Sequence, residues 1–281
     1  MPASPQDPIA LFDSGVGGLT ILREVHRQLP LENTIYFGDT ARLPYGNKSP
    51  ETVLRYTLEN VSFLLEKQIK YLVIACFTAS SHALDALEQR LAVPVIGVIQ
   101  SGLEELMRAT KNKRVAILGT ESTIKSGVFQ SIIQKQAPGA VIFPVACPLF
   151  VPFIEEGLSV HPALRLIAHH YLDCLADKDI DSALLACTHY PLVKSTIQEI
   201  LGPGVQLIEP AKCCALKVRN WLATNDLLNL QHQTPESMFY VSDDPKKFSS
   251  LANLFFESDH LNLKKTRMHE TVLYQPGCSQ R

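Results

Sequence analysis

The chain has 281 residues, enough for one large domain or two modest ones. Hydrophobic residues make up 46% and charged residues 19%, which supports a substantial core and excludes global disorder. The formal net charge is −2 with no block of Lys and Arg, which argues against a nucleic-acid surface; pairs such as Lys246-Lys247 and Lys264-Lys265 read as solvated faces.

The opening "MPASPQDPIALFDSG" has no basic region and no long apolar segment, so it does not read as a secretory signal. "IALFD" (9–13) reads as a buried strand and "LTILREVHRQL" (19–29) as a helix. "NTIYFG" (33–38) reads as a strand, and 49–67 as a helix with Ser49 as N-cap and Pro50 at its first position. A strand over 71–76, a helix over 80–91, a strand over 93–99 and a helix over 100–110 follow. Next come a strand (114–120), a helix (123–136), a strand (140–146), a helix (162–176), a strand (182–188) and a helix (190–201). A strand (205–209), a helix (210–223), a loop (224–237), a strand (238–244) and a short helix (245–256) complete the pattern. The most apolar stretch, "VIFPVACPLFVPFI", falls short of the roughly 20 residues a membrane span needs and holds three prolines, so the expectation is a soluble cytoplasmic protein without a membrane partner.

Near-continuous apolar strands alternating with helices point to α/β architecture, with parallel sheets covered on both faces. The predicted strands exceed what one compact sheet usually holds, so two α/β domains are expected. Ligands in such folds sit at the carboxyl ends of strands.

Those ends carry the candidate chemistry. "FDSGVGGLT" (12–20) is a strand, a glycine-rich turn and a helix start. It matches neither a dinucleotide fingerprint nor a P-loop, yet its backbone N–H groups suit a carboxylate, with Asp13 at the strand end; a tight structural turn capped by Asp13 is the alternative. The polar loop "FGDTARLPYGNKSPE" (37–51), with Asp39, Arg42, Pro44, Tyr45 and Gly46, could form a lid or substrate wall. Thr120 and Thr123 in "GTESTIKSG" read as hydroxyl donors or as helix caps. Seven cysteines, odd in number and without a CxxC pair, fit neither a disulfide framework nor a zinc site. Two of them recur in matching contexts. Cys76 in "VIACFTASSHAL" and Cys187 in "LLACTHYPLV" each follow an apolar run and precede a predicted helix, whose N-terminus favours the thiolate. His189, two residues past Cys187, could exchange a proton with a thiol or a substrate amine. A thiol from each domain facing one cleft suits racemisation without a cofactor or metal: one thiolate removes a proton from a stereocentre and the other thiol returns one to the opposite face.

On these motifs the sequence resembles the glutamate racemases of the aspartate/glutamate racemase superfamily. The matching pieces are "FDSGVGGLTILREV", "YFGDTARLPYGNKS", "ACFTAS", "PVIGVI", "GTESTIKSG", "CPLFVPFIEEG", "ACTHYPLV" and "FYVSDD", in family order from about residue 9 to 244. The resemblance implies two pseudo-symmetric, doubly wound parallel-sheet α/β domains with the active site between them. Their expected bounds are 1–98 plus 211–281 for the first and 99–210 for the second. It implies Cys76 and Cys187 as the acid/base pair, assisted by Asp13, His189 and Glu155. Substrate binding would fall to Asp13, Ser14, Thr78, Thr188 and His189, the segment Pro44, Tyr45 and Gly46, and Thr120 and Thr123. It further implies glutamate as substrate, D-glutamate for peptidoglycan as product, no cofactor, a cytoplasmic location and a homodimer.

One departure concerns the site. The family's first cysteine motif reads Cys-Asn-Thr, and here it reads Cys76-Phe77-Thr78. If Phe77 points into the cleft it removes a hydrogen-bonding group and volume; if it turns outward it packs in the core and leaves the pocket roomier. Ala186 and Glu209-Pro210 are milder departures. Phe77 motivates an alternative, a racemase of altered substrate or low activity. A third reading is a weakly catalytic binding protein, for example one that inhibits DNA gyrase; the intact Cys76, Cys187, Asp13 and His189 disfavour it. Cys213, Cys214 and Cys278 read as bystanders.

Overall fold

The computed structural model describes residues 3–231, 234–255 and 263–266; Cys278 lies outside them. The first half runs β1 (Ile9–Asp13), α1 (Leu19–Gln28), β2 (Thr34–Gly38), α2 (Pro50–Leu65), β3 (Tyr71–Ile74), α3 (Phe77–Arg90), β4 (Val95–Gly97) and α4 (Val98–Ala109). The next run is β5 (Arg114–Gly119), α5 (Glu121–Lys125), α6 (Val128–Gln136), β6 (Val141–Ala146), α7 (Phe150–Glu155), α8 (Pro162–Leu172), β7 (Ser182–Ala186), α9 (Lys194–Leu201) and β8 (Gln206–Ile208). The chain closes with α10 (Ala211–Thr224), β9 (Ser237–Val241), α11 (Pro245–Ala252) and β10 (Leu263–Lys265).

The strands form two sheets, β10-β9-β2-β1-β3-β4 and β6-β5-β7-β8, in which every neighbouring pair is parallel. The orders β2-β1-β3-β4 and β6-β5-β7-β8 repeat one topology. Each has a switch point where successive strands leave to opposite sides, between β1 and β3 and between β5 and β7. A crevice opens at the carboxyl ends of strands at such a point. The doubled, doubly wound α/β architecture expected from the sequence is therefore present, with β9 and β10 extending the first sheet beyond β2.

The central strands are apolar because helices cover both faces: every residue of β1, β3 and β7 is buried. Ala10, Phe12, Ile35 and Phe37 point to one face of the first sheet and pack among α2 and α3 residues. Ile9, Leu11 and Tyr36 point to the other, where one apolar cluster continues into Val115, Ile117, Leu184 and Leu185 of the second sheet. Helix α10 packs on α1 and α4, and α4 also packs on β7 and β8. Pro144 sits in β6, a sheet edge, where its missing N–H removes no ladder bond to a second neighbour.

Several predicted boundaries shift for local reasons. The 49–67 helix begins as expected, with Ser49 Oγ accepting from the Thr52 N–H and Pro50 at the first position. The 123–136 helix is broken into α5 and α6 at Gly127, whose φ of +68° only glycine adopts freely. The 162–176 helix ends in a one-turn 3-10 segment at Asp173–Leu175, and the 190–201 helix opens with another at Tyr190–Val193. Helix α3 begins at Phe77 rather than 80, because Cys76 itself is the N-cap. Helix α7 and strand β10 lie in segments that carried no predicted element. Among the described residues no helix is long and apolar enough to cross a membrane.

Candidate active site

The two switch points carry the predicted residues. Asp13 ends β1 and Cys76 follows β3 by two residues; Thr120 follows β5 and Cys187 follows β7. The glycine-rich turn after β1 presses directly on the second sheet's loop. A Cβ added to Gly17 would meet Thr188 Oγ1 at 2.3 Å and His189 Nδ1 at 2.5 Å. Gly17 is thus required by close approach, not by backbone conformation. The expected loop 37–51 makes a second contact of this kind, since a Cβ on Gly46 would meet Thr120 Cβ at 2.6 Å.

Cys76 is 6% exposed and lies at the N-terminus of α3. Its sulfur accepts from the Ala79 N–H at 3.5 Å, and its thiol donates to the Ser14 hydroxyl oxygen at 3.5 Å. The sequence alone suggests that the helix terminus would favour the thiolate. That effect is present but outweighed. Burial and the neighbouring Asp13 charge push the Cys76 thiol up to about 12, against the Ala79 and Ser14 hydrogen bonds, and Cys187 pushes in the same direction as burial. Cys76 therefore rests as a neutral thiol. The two cysteines are near enough to act on each other electrostatically.

Cys187 is 7% exposed, with His189 Nδ1 4.0 Å from its sulfur. The other imidazole nitrogen of His189, Nε2, lies 3.0 Å from Glu155 Oε1 on α7. Burial pulls the imidazole down, but Cys187 and Glu155 together raise it to about 10, so His189 carries a positive charge at neutral pH. The Phe255 ring lies nearly perpendicular to the imidazole at a centroid distance of 5.4 Å. Asp13 accepts from the Gly15 N–H at 2.9 Å. Burial raises the Asp13 carboxyl above its ordinary value, opposed by His189 and by the amides of Gly15 and Gly18. Asp13, Cys76, Cys187, His189 and Glu155 thus form one electrostatically coupled group.

Thr78, Thr120 and Thr123 also come together. Their Oγ1 atoms are mutually 2.8–2.9 Å apart in a ring that joins α3 to α5. Each hydroxyl can donate once and accept once around such a ring. Thr120 keeps the cap reading as well, accepting from the Thr123 N–H at 3.4 Å.

The loop holding Pro44, Tyr45 and Gly46 is fixed from behind. Tyr45 is buried against Phe12 and Tyr56, and its hydroxyl donates to Asp39. Arg42 donates to Asp39 at 2.7 Å, to Asn60 at 2.7 Å and to Glu59. The Tyr45 side chain thus belongs to a polar scaffold, leaving Gly46 as the residue that faces Thr120. Glu59 and Asn60 sit on the buried side of α2 and gave no sequence signal. Tyr36 and Phe255 are two further neighbours of the site that sequence reasoning missed, because each reads as an ordinary core aromatic.

Phe77 is 2% exposed and packs against Phe129 of α6, with ring centroids 6.4 Å apart. It also lines, with Cys187, Thr188 and Pro210, a cavity of about 90 Å³. Glu209, one of the milder departures, accepts from Lys194 at 2.5 Å.

Comparison with known proteins bears on the family and the fold. Residues 18–218 match the family model described as Asp/Glu/Hydantoin racemase. A glutamate racemase of Geobacter metallireducens is 46% identical over 89% of this chain and 93% of its own length. One from Chlorobaculum tepidum is 43% identical over 91% of this chain and 94% of its own. Among solved structures, a Francisella tularensis glutamate racemase in complex with D-glutamate is 38% identical, with a TM-score of 0.89, covering 94% of this chain and 98% of that one. Similarity at this level, over most of both chains and in both fold and sequence, assigns the family: the chain belongs to the Asp/Glu/Hydantoin racemases.

Proposed function

We propose that this protein is a cofactor-independent glutamate racemase that interconverts L- and D-glutamate by proton transfer between two thiols. The observation that carries the reading is the placement of Cys76 and Cys187 at the equivalent switch points of two sheets with one topology. One cysteine, as thiolate, takes the α-proton from one face. The other, as thiol, delivers a proton to the opposite face, and in the reverse direction the roles exchange. Between the two transfers the electron pair from the Cα–H bond is delocalised into the α-carboxylate. Hydroxyl donors aimed at that carboxylate stabilise the developing charge, and Thr78, Thr120 and Thr123 are assigned to this task, their ring opening on substrate binding to free a donor. The His189 imidazolium, held by Glu155, supplies a counter-charge to a thiolate at Cys187. Ser14 and Asp13 serve the Cys76 side, while Thr188, with the backbone of Pro44, Tyr45 and Gly46, completes the substrate contacts.

In this reading residues 1–98 plus 211–281 form the first domain and 99–210 the second. The protein acts in the cytoplasm as a homodimer, and its D-glutamate feeds peptidoglycan synthesis. A racemase of altered substrate is the second reading, supported by the position of Phe77 beside Cys187 and Thr188 at the 90 Å³ cavity.

The test is direct. The protein is incubated with L- and with D-glutamate in D2O, and α-deuterium and optical rotation are followed. Exchange and racemisation from both enantiomers are expected. Folded protein that exchanges neither rules the reading out, and activity on another amino acid with none on glutamate selects the second reading.

A further inference from the structure

Tyr36 is 1% exposed and sits beside the first thiol's neighbours, although its position in β2 marks it only as core. In the parallel pairing of β1 with β2, Leu11 lies opposite Tyr36 and Asp13 opposite Gly38. Two-residue alternation therefore sends the Tyr36 and Asp13 side chains to the same face of the sheet. The Tyr36 hydroxyl donates to the Gly15 carbonyl at 2.8 Å. The N–H of the same glycine donates to Asp13 Oδ2 at 2.9 Å. The peptide groups on both sides of Gly15 are thus each held by a different side chain. Ser14, between Asp13 and Gly15, has its hydroxyl 3.5 Å from the Cys76 sulfur. Gly38 completes the platform, since a Cβ there would meet the Gly15 carbonyl oxygen at 2.5 Å.

Among the described residues the Tyr36 ring itself makes only packing contacts that a phenylalanine could also make, against Phe239 and Phe248 at 6.2 and 6.0 Å. The hydrogen bond of its hydroxyl goes to the Asp13–Gly18 turn, and Gly18 of the same turn lies against it, since a Cβ there would meet the hydroxyl oxygen at 2.9 Å.

We propose that Tyr36 is a positioning residue for the Cys76 half of the site: its hydroxyl locks the turn so that Ser14 and Asp13 meet the Cys76 thiol in one geometry. It acts through the turn and touches neither Cys187 nor the substrate. This rests on the two-thiol racemase reading.

The test uses Tyr36→Phe in the full-length protein. L- and D-glutamate have equal free energies, so any loss of kcat/KM must be the same in both directions. The two proton transfers are separated by the primary isotope effect with α-deuterated substrates. The enantiomer deprotonated by Cys76 is identified as the one that still exchanges its α-hydrogen in Cys187→Ala. Tyr36→Phe is expected to keep the wild-type fold and KM within about twofold, and to lower kcat roughly tenfold to hundredfold, the scale of a small misplacement of a reacting group. The isotope effect should rise for the enantiomer that Cys76 deprotonates and fall for the other, whose abstraction by Cys187 then limits the rate less. Unchanged kcat, or a rise for both enantiomers, overturns the inference. Gly38→Ala displaces the same turn without touching Tyr36 and should reproduce these opposed isotope effects. It carries the test if Tyr36→Phe does not fold, and a rise for both enantiomers there overturns the inference too. A wild-type protein inert on glutamate sinks the racemase reading itself; an active wild type with an indifferent Tyr36→Phe sinks this inference alone.

Discussion

His189 bridges Glu155 and Cys187, with Nε2 3.0 Å from the Glu155 carboxylate and Nδ1 4.0 Å from the sulfur. The bridge joins α7 to the loop after β7 and holds a buried cation beside a thiol. Its energetic signature is a pH dependence. Imidazole ordinarily titrates near 6.5, and folded His189 is raised to about 10. Protonated His189 therefore contributes stability fully below about pH 6.5, and the contribution is lost as pH rises through about 10. Glu155→Gln should weaken the protein at pH 6 and differ less from wild type near pH 10.5. Urea melts at the two pH values check this; a difference that does not shrink at high pH contradicts the assignment.

Cys76 should behave as an unusually reluctant thiol. With its pKa pushed up to about 12 by burial and Asp13, iodoacetamide should label exposed Cys174 long before Cys76. The Cys76 labelling rate, followed by peptide mass, should still be climbing at about pH 10.5. A plateau near the ordinary thiol value of 9.0 would show that Asp13 and burial do not control it.

Each thiol should be indispensable. Cys76→Ala and Cys187→Ala are expected to lower racemisation by at least the order of 10²–10⁴ that a positioned proton-transfer group contributes. Each variant should still exchange the α-hydrogen of one enantiomer, and a different one for each. Racemisation at the wild-type rate in either variant rules out the two-thiol mechanism.

The threonine ring should act on the carbanion more than on folding. Thr123→Val keeps the shape and removes one of three mutually bonded hydroxyls. A hydrogen bond to a charged group contributes about 1.5–3 kcal/mol, so kcat/KM should fall on the order of tenfold to hundredfold. Steady-state kinetics in both directions check this, and a loss confined to thermal stability would make the ring structural.

Phe77→Asn is expected to destabilise the protein. The ring lies against Phe129 in the core, and replacing it leaves a void and buries an amide. A cost of about 3 kcal/mol or more follows. A denaturant melt measures it, and unchanged stability would mean that the side chain is not held by the core.

The near-continuous apolar strands, the helical runs between them and the turn residues specified the class of fold, because strands apolar on both faces need cover on both, and alternating helices supply it over parallel sheets. Local chemistry was legible too: Ser49 and Pro50 start α2, and Cys76 and Cys187 each follow an apolar strand. Strand-end residues such as Asp13, Cys76, Thr120 and Cys187 could be named from position alone, since a strand's end is a property of its own segment.

Only the tertiary structure decided who meets whom and in which charge state. The Gly17 contact with His189, the Thr78–Thr120–Thr123 ring and the Tyr36–Gly15 bond join residues far apart in the chain, and no local pattern encodes them. The helix N-terminus predicted a thiolate at Cys76, but burial and Asp13 set it as a thiol, because desolvation depends on everything packed around an atom. Phe77 likewise could not be placed from its neighbours in sequence. It packs on Phe129 of α6, a residue 52 positions along the chain, at a ring-centroid distance of 6.4 Å.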